Sequence, residues 1–142
     1  MTLASFEDFG ALSADYARYH THPMNRATHA VGIPLIMLAV VGWTQPAGAL
    51  VPWAALALPL YFVWSAPLAL GMSAVLLGMA FLARVLPGWS LWAAFILGWV
   101  FQFIGHAVYE GKSPAFAKNA IHVLVGPMWI LQELAFPRRS RG

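Results

Sequence analysis

Three of the chain's five histidines fall within ten residues, in the stretch YARYHTHPMNRATHAVGIPL that begins at Tyr16. Immediately after this stretch the chain becomes almost wholly apolar. Imidazole nitrogens and carboxylate oxygens, without cysteine thiolates, are ligands that suit Fe(II), Zn(II) or Mn(II). Two or three histidines and one carboxylate around a metal with open positions are typical of non-haem iron oxygenases. The stretch therefore indicates part of a metal site, and the rest must come from elsewhere in the chain.

The spacing within this stretch limits which side chains can meet. His20 and His29 are nine residues apart, which places them on opposite sides of one straight helix. Pro23 lies between them and favours the start or the end of a helix, so two short segments could direct both rings to one point. His22 is seven residues before His29 and competes with His20 for the same role. Asn25, four residues before His29, could orient its ring.

A second polar motif, FQFIGHAVYEGKSPA at residues 101–115, ends the last long apolar run. His106 and Glu110 are four residues apart and share one face of a helix. The fifth histidine, His122, follows in the next segment. These residues can complete a metal site only if the fold brings both motifs to the same end of the molecule.

The composition makes each of these polar residues noteworthy. Of 142 residues, 61% are hydrophobic and only 9% are charged, whereas a soluble domain is about 25% charged. We therefore predict a membrane protein, in which a polar group usually has a function. The net charge of +3 does not indicate nucleic-acid binding, because the chain has no extended basic face. The absence of cysteine excludes disulfides and thiolate metal sites.

Four apolar runs, separated by short segments rich in proline and glycine, predict membrane helices. They are Ala30–Trp43, Ala49–Trp64, Ala66–Ala83 and Trp89–Tyr109. A bilayer core needs roughly 20 helical residues, so we expect the first two runs to extend beyond these limits. The prediction is a single all-α domain, a polytopic membrane helix bundle with about four spanning helices. A polar, partly helical lead-in at 1–29 precedes the helices at 30–109, and residues 110–142 form a C-terminal segment.

The C-terminal segment contains one more apolar stretch, FAKNAIHVLVGPMWILQELAF at residues 116–136. This stretch is long enough to cross a bilayer. Crossing would carry the basic sequence PRRSR, which follows it, to the outside, against the positive-inside rule. We therefore expect an interfacial or re-entrant helical segment on the cytoplasmic side.

The distribution of cations predicts the orientation of the helices. With the N-terminus inside, seven of the eight Lys and Arg residues lie on the cytoplasmic side, as the positive-inside rule requires. These seven are Arg18, Arg26, Lys112, Lys118, Arg138, Arg139 and Arg141, and the exception is Arg84. Four tryptophans fall at the outer helix ends, as in an interfacial aromatic belt: Trp43, Trp53, Trp89 and Trp92. We expect a multi-pass protein of a bacterial inner membrane with both termini cytoplasmic.

This orientation brings the histidines together. From Trp89 to His106 is 17 residues, or about 25 Å of helix, so His106 returns to the inner boundary where the first long helix begins. His122 follows the next turn on the same side. All five histidines are therefore predicted to gather at one membrane face, an arrangement that favours a metal site over separate roles as helix caps.

The two motifs, together with the later sequence GPMWILQELAF, resemble the 2-hydroxy fatty acid dioxygenase family. The resemblance extends over nearly the whole chain and is most specific at H-x4-N-x3-H and QF-x-GH-x3-E. It implies a small multi-pass membrane enzyme that uses Fe(II) and O2 to shorten a 2-hydroxy fatty acid by one carbon, with release of CO2. The expected partners are this substrate, O2 and membrane lipid.

The resemblance also assigns expected roles to residues. The positions that match the family pattern are His20, Asn25, His29, Gln102, Gly105, His106, Glu110, Pro114, Asn119, Pro127 and Glu133. On this basis, the expected iron ligands are His20, His29 and His106, with His122 as the next candidate. Glu110 is expected to be a ligand or the partner of a histidine, and Asn25 to assist at the same site. Arg26 or Lys112 could pair with the substrate carboxylate.

Three other functions compete with this interpretation. A zinc-dependent lipid hydrolase could use the same histidines, and only the resemblance favours iron. A haem protein would place its ligands inside the apolar runs, where only His106 comes close. A transporter would place polar residues near the membrane midplane, where this chain has almost none.

Overall fold

The computed structural model describes residues 8–45, 52–114, 117 and 120–136. The helices in this part of the chain are α1 Phe9–Ala17, α2 Pro23–Thr44, α3 Pro52–Trp64, α4 Ala66–Val85, α5 Gly88–Ile104 and α6 His122–Ala135. Helix α5 continues directly into a π-helical turn, Gly105–Glu110. The predicted all-α class is therefore confirmed. The predictions for Ala49, Lys118, Asn119 and the three C-terminal arginines, and for the side chain of Trp53, lie outside the described residues.

Within the described segments, three helices are long and apolar enough to cross a membrane, which supports the predicted membrane character. They are α2, α4, and α5 together with its π-helical turn. Helix α3, the second predicted span, has 13 described residues, or about 20 Å of helix, and is short for a hydrocarbon core of about 30 Å. Large apolar side chains on the outside of α4 and α5 are exposed, among them Leu77, Phe81 and Ile96, as a lipid-facing surface requires.

Helix α2 begins earlier than the apolar run predicted. It starts at Pro23, because proline suits the first helical position, and His22 caps it by accepting a hydrogen bond from the backbone N–H of Met24 at 3.1 Å. The predicted lead-in at 1–29 thus includes α1 and the first two turns of α2. Polar residues are tolerated in these turns since Asn25 and His29 point into the protein and are buried.

Glycines let α2 and α5 approach each other closely. A Cβ atom on Gly32 would lie 2.7 Å from the carbonyl oxygen of Gly98, and one on Gly98 would lie 2.7 Å from that of Gly32. Nearer the other end of α2, a Cβ on Gly42 would lie 2.6 Å from the side chain of Leu91. These pairings make the two helices antiparallel, with small residues at the interface as is common in membrane helix packing. The first turns of α2 consequently lie beside the end of α5.

Helix α6 packs back against the bundle and closes the end that carries the histidines. It contacts α1, α2 and α4, and its side chains Val125, Met128 and Trp129 are buried in the apolar core. Helix α3 also contacts α6, because the Tyr61 hydroxyl of α3 donates to the carbonyl oxygen of Leu124 in α6 at 2.9 Å. The predicted C-terminal helical segment is therefore part of the core, and its position relative to the bilayer stays a prediction.

Three of the tryptophans predicted at outer helix ends, Trp43, Trp89 and Trp92, lie at the end of the bundle opposite the histidines. Trp43 packs against Trp92 with ring centroids 4.4 Å apart, and both Trp89 and Trp92 are exposed. Amphipathic rings in such positions suit a membrane interface. The side of the membrane on which the chain termini lie stays a prediction.

We predict that Gly98→Ala destabilises the bundle, because its Cβ would meet the backbone of Gly32 and the side chain of Ile36. Overpacking of this kind costs about 1–3 kcal/mol of unfolding free energy. Gly78→Ala is the matched control, since no described atom lies within 4 Å of the added Cβ. Thermal unfolding in detergent, followed by circular dichroism, should give a lower midpoint for Gly98→Ala only. Equal midpoints would contradict the close approach of α2 and α5.

Candidate metal centre

Three histidines from separate segments converge on one point inside the protein. His20 lies in the turn between α1 and α2, His29 on the second turn of α2, and His106 on the π-helical turn after α5. Their side chains are 0%, 1% and 3% exposed, respectively. One ring nitrogen from each lies within 4.8 Å of the others, and the ring centroids are 4.4 to 4.9 Å apart. Nitrogen donors at this separation could share one metal ion.

Backbone carbonyl groups fix the orientation of two of the rings. His20 Nδ1 lies 2.7 Å from the carbonyl oxygen of Tyr16, and His29 Nδ1 lies 2.9 Å from that of Asn25. A carbonyl oxygen can only accept, so each Nδ1 carries the proton and each Nε2 keeps its lone pair. Metal-binding histidines are commonly oriented in this way. The prediction that Asn25 orients His29 thus has a geometric counterpart, through its backbone rather than its side chain.

Some of the ring nitrogens are buried without a hydrogen bond. His20 Nε2 and His106 Nδ1 have no hydrogen-bond partner within the described segments. Buried polar atoms in proteins nearly always have a partner, and these two ring nitrogens are therefore available to bind one. Burial lowers the pKa of the His20 side chain to about 4, although the hydrogen bond to the Tyr16 carbonyl partly opposes this shift. His20 is therefore neutral at neutral pH, which is the form that binds metal.

Aromatic rings enclose the histidine cluster on the side of α1 and α6. Tyr16 stacks on His20 with ring centroids 4.1 Å apart, and Trp129 lies 5.6 Å from the same ring. Sequence reasoning did not identify Tyr16 as part of the site. The signal was its position four residues before His20, a spacing at which helical side chains are neighbours.

Gly105 permits the close approach of the π-helical turn to α2. A Cβ at this position would collide with Asn25 Oδ1 and with Thr28 Oγ1, and would lie 3.2 Å from the ring of His29. Single π-helical turns inside α-helices frequently occur at functional sites. Here the turn carries His106 and brings it beside His29.

Glu110 joins the end of the π-helical turn to the start of α2. Its carboxylate accepts hydrogen bonds from the backbone N–H of His22 at 2.6 Å, from Thr21 Oγ1 at 2.8 Å and from Asn25 Nδ2 at 3.3 Å. A negative charge at a helix N-terminus is also favourable. Glu110 is not part of the cluster of three histidines, and its partners are a backbone N–H, a hydroxyl and an amide rather than a histidine ring. Its role as a ligand or as the partner of a histidine stays a prediction.

Asn25 connects several parts of the site and is fully buried. Its side-chain amide donates to the carbonyl oxygen of Tyr19 at 2.9 Å as well as to Glu110. Its backbone carbonyl accepts from Thr28 Oγ1 at 2.8 Å in addition to its contact with His29. Through these hydrogen bonds, the buried Asn25 connects the motif around His20 and His29 to Glu110 in the second motif.

The remaining two histidines do not join the cluster. His22 is exposed, caps α2 and stacks on Tyr109 with ring centroids 5.1 Å apart, so it does not compete with His20. His122 is buried at the start of α6, with its Nε2 3.2 Å from Asp15 Oδ2 and its ring edge-on to Tyr16. His122 lines the cavity beside the cluster, and its role as a fourth ligand stays a prediction.

The two cations predicted to bind a carboxylate have different surroundings. The Arg26 Nε donates to the carbonyl oxygen of His20 at 2.7 Å, and its guanidinium lies 3.8 Å from Glu133 Oε2 and over the ring of Trp129. Arg26 thereby holds the backbone of His20 against α6. Lys112 is exposed and lines an open concavity of about 440 Å³ that includes His106.

The chain matches one family model over most of its length and one relative over a shorter stretch. The family described as 2-hydroxy-palmitic acid dioxygenase Mpo1-like matches residues 5–138. The 2-hydroxy-palmitic acid dioxygenase MPO1 of Saccharomyces cerevisiae is 44% identical over 43 residues, which are 30% of this chain. The matched stretch spans 25% of the length of that relative. No solved structure matches the chain.

We predict that Glu110→Ala destabilises the site by about 1–2 kcal/mol, because it removes the charged acceptor of the hydrogen bonds from Thr21, His22 and the buried Asn25. Thr21→Val is the matched comparison, since it removes only the hydrogen bond from the Thr21 hydroxyl to the carboxylate. Chemical unfolding should give a clearly larger loss of unfolding free energy for Glu110→Ala than for Thr21→Val. If both variants were as stable as the parent protein, Glu110 would not join the two motifs.

Proposed function

Because the chain belongs to the family described as 2-hydroxy-palmitic acid dioxygenase Mpo1-like, we propose that it is an Fe(II)-dependent dioxygenase. In this proposal the enzyme uses O2 to shorten a long-chain 2-hydroxy fatty acid by one carbon and releases CO2. The observation that carries the proposal is the buried cluster of His20, His29 and His106. Buried polar atoms nearly always have a partner and polar groups within membrane proteins are usually functional, so this cluster supports a shared metal ligand.

The donor set is consistent with a divalent iron ion. Neutral imidazoles suit iron as well as zinc, and the carbonyl groups of Tyr16 and Asn25 leave the Nε2 atoms of His20 and His29 free to bind. His122 is the next candidate ligand, since its Nδ1 is buried without a hydrogen bond to any described residue. When bound, Fe(II) would supply Lewis acidity and the redox chemistry that reaction with O2 requires.

The other residues of the site would hold the ligands in place and exclude water. Tyr16 and Trp129 cover the ring of His20. Glu110 and Asn25 join the two motifs that carry the histidines. With these supports the ring positions would be fixed before the substrate arrives, and preorganised positioning is a major source of catalytic rate.

The substrate carboxylate needs a cation near the cluster, and we propose Lys112 for this role. Lys112 lines the concavity that reaches His106, so its ammonium group is free to move toward a bound carboxylate. Arg26 is the weaker candidate because its guanidinium is already engaged by the His20 carbonyl and by Glu133. A charge-assisted hydrogen bond of this kind is stronger than a neutral one.

The position of the site at the ends of the helices suits a lipid substrate. A fatty acid in a bilayer keeps its head group at the interface, and the histidines lie at the ends of α2 and α5. We further propose that this end faces the cytoplasm of a bacterial inner membrane, with both termini inside. The bias of seven of eight cations toward that side supports this orientation.

A zinc-dependent lipid hydrolase is the second candidate function. Three histidines are also a known ligand set of catalytic zinc, with the fourth position left for water. The geometry of the cluster suits either metal, and only the family membership favours iron and O2. An activity assay that replaces Fe(II) by Zn(II) therefore distinguishes the two candidate functions.

We predict that the metal content depends on the three clustered histidines. Each of His20→Ala, His29→Ala and His106→Ala should lower the iron affinity by more than about tenfold, since even the loss of a supporting contact costs 10- to 100-fold. His22→Ala is the matched control, because His22 is an exposed helix cap outside the cluster. Elemental analysis of protein purified without oxygen is the measurement. Full iron content in His106→Ala would show that the cluster is not the iron site.

We predict that the protein with Fe(II) and O2 converts a 2-hydroxy fatty acid into the acid one carbon shorter. A 3-hydroxy acid of equal length should bind but not react, because its hydroxyl is one carbon farther from the carboxylate. Product length and incorporation of isotopically labelled O2 are measured by mass spectrometry. Turnover that persists without O2, or with Zn(II) in place of Fe(II), would exclude the dioxygenase and favour the hydrolase.

A further inference from the structure

A cavity of about 300 Å³ opens from the histidine cluster toward the middle of the membrane helices. At one end it is lined by polar side chains, which include His20, His106 and His122. Away from the cluster its lining becomes apolar, so the cavity has one polar and one apolar end. Its volume is at the lower limit of common ligand pockets, which range from about 300 to 1,000 Å³.

One face of α2 forms the long wall of this cavity. Ile33, Met37 and Val40 line it in that order beyond His29, at spacings that place all four residues on the same helix face. From His29 to Val40 the helix rises about 16 Å. This length equals about half of a bilayer hydrocarbon core of roughly 30 Å, which is the depth that an acyl chain occupies in one leaflet.

The opposite wall is formed by apolar groups from other helices. Trp99 of α5 and Leu124 and Pro127 of α6 face the same cavity. Of the residues that line the cavity, Val123 is exposed and Trp99 is partly exposed, so the cavity reaches the surface of the bundle near these two side chains. A chain that diffuses in the lipid could therefore enter sideways, between α5 and α6, without leaving the apolar phase.

We propose that this cavity binds the hydrocarbon tail of a straight-chain fatty acid, and that Val40 and Met37 at its far end set the longest tail that fits. The proposal rests on the proposed function for the identity of the head group, because the carboxyl end would lie at the histidines. The occupant is an acyl chain and not a bulky ring or a peptide, since the cavity is narrow, apolar and about one leaflet deep.

The cavity can be mapped without any turnover. Fatty acids that carry a photoreactive diazirine at different carbons are bound to the metal-free protein in lipid nanodiscs, and the labelled residues are identified by mass spectrometry. A diazirine near the methyl end should label Met37 or Val40, and one near the carboxyl end should label residues around Ile33. Labelling of the lipid-facing Val31 alone, at every diazirine position, would overturn the proposal.

Substitutions at the two ends of the cavity should have different effects. Val40→Trp fills the far end and should weaken labelling by the longest probes about tenfold, the factor for roughly two methylenes left out of the cavity. The shortest probes should still bind. Ile33→Trp lies next to the cluster and should block probes of every length. Val31→Trp is the matched control, because Val31 is exposed on the same helix and does not line the cavity.

Each outcome bears on the tail site independently of the chemistry. If Val40→Trp weakened all lengths equally, or Val31→Trp acted like Val40→Trp, Val40 would not limit tail length and the proposal would be wrong. The labelling needs neither iron nor O2, so a failed dioxygenase assay leaves this result intact. Conversely, a successful dioxygenase assay with lipid-facing labelling would support the function and contradict the tail site.

Discussion

The histidine site depends on how closely α2 and α5 approach each other. Because Gly32 and Gly98 face one another with no room for a Cβ atom, the two helix backbones lie in contact along their length. Gly105 continues this contact into the π-helical turn, where Asn25 occupies the space of the missing side chain. The ligands of α2 and of the turn therefore meet as a consequence of helix packing. Glu110 secures the same junction from the outside, by hydrogen bonds rather than by close packing.

The histidines also explain why so apolar a chain keeps these polar groups. Buried imidazoles, amides and carboxylates are unfavourable unless their hydrogen bonds are satisfied. In the described structure, the Tyr16 carbonyl accepts from His20 Nδ1. The Asn25 side chain donates to the Tyr19 carbonyl, and the Thr28 hydroxyl donates to the Asn25 carbonyl. Among the described residues, the buried atoms of this region that keep no hydrogen-bond partner include His20 Nε2 and His106 Nδ1, together with Asn25 Oδ1 and Gln102 Nε2. A divalent ion bound at the cluster would give the unpartnered ring nitrogens a ligand. The metal would then stabilise the fold as well as serve the reaction.

Much of this arrangement could be predicted from the sequence, for physical reasons. Apolar runs of helical length predict a bundle of membrane helices. The number of runs between the two motifs predicts the end of the bundle at which each motif lies. This topology predicted that all five histidines gather at one end of the bundle, and the resemblance then singled out His20, His29 and His106. The structure confirms the all-α class, and it brings these three rings together as expected.

Other features depend on tertiary contacts that leave no clear pattern in one sequence. His22 and His20 look equivalent by spacing, and only the start of α2 at Pro23 makes one a cap and the other part of the cluster. Arg26 is one of two candidates to pair with the substrate carboxylate, and only the structure shows that its Nε donates to the backbone carbonyl of His20. The π-helical turn has no signature that distinguishes it from an ordinary helix end. In each case the role of the residue depends on which groups the tertiary fold places beside it.

X-ray absorption at the iron edge is the most direct test of the proposal that three imidazoles share one iron ion. Protein loaded with Fe(II) without oxygen should show the multiple scattering that is characteristic of imidazole ligands, at an intensity that fits the three clustered histidines. The His106→Ala variant, if it retains iron under excess metal, should show a weaker imidazole signal, and His22→Ala should match the parent protein. An iron spectrum without imidazole scattering, or one that His106→Ala leaves unchanged, would contradict the account.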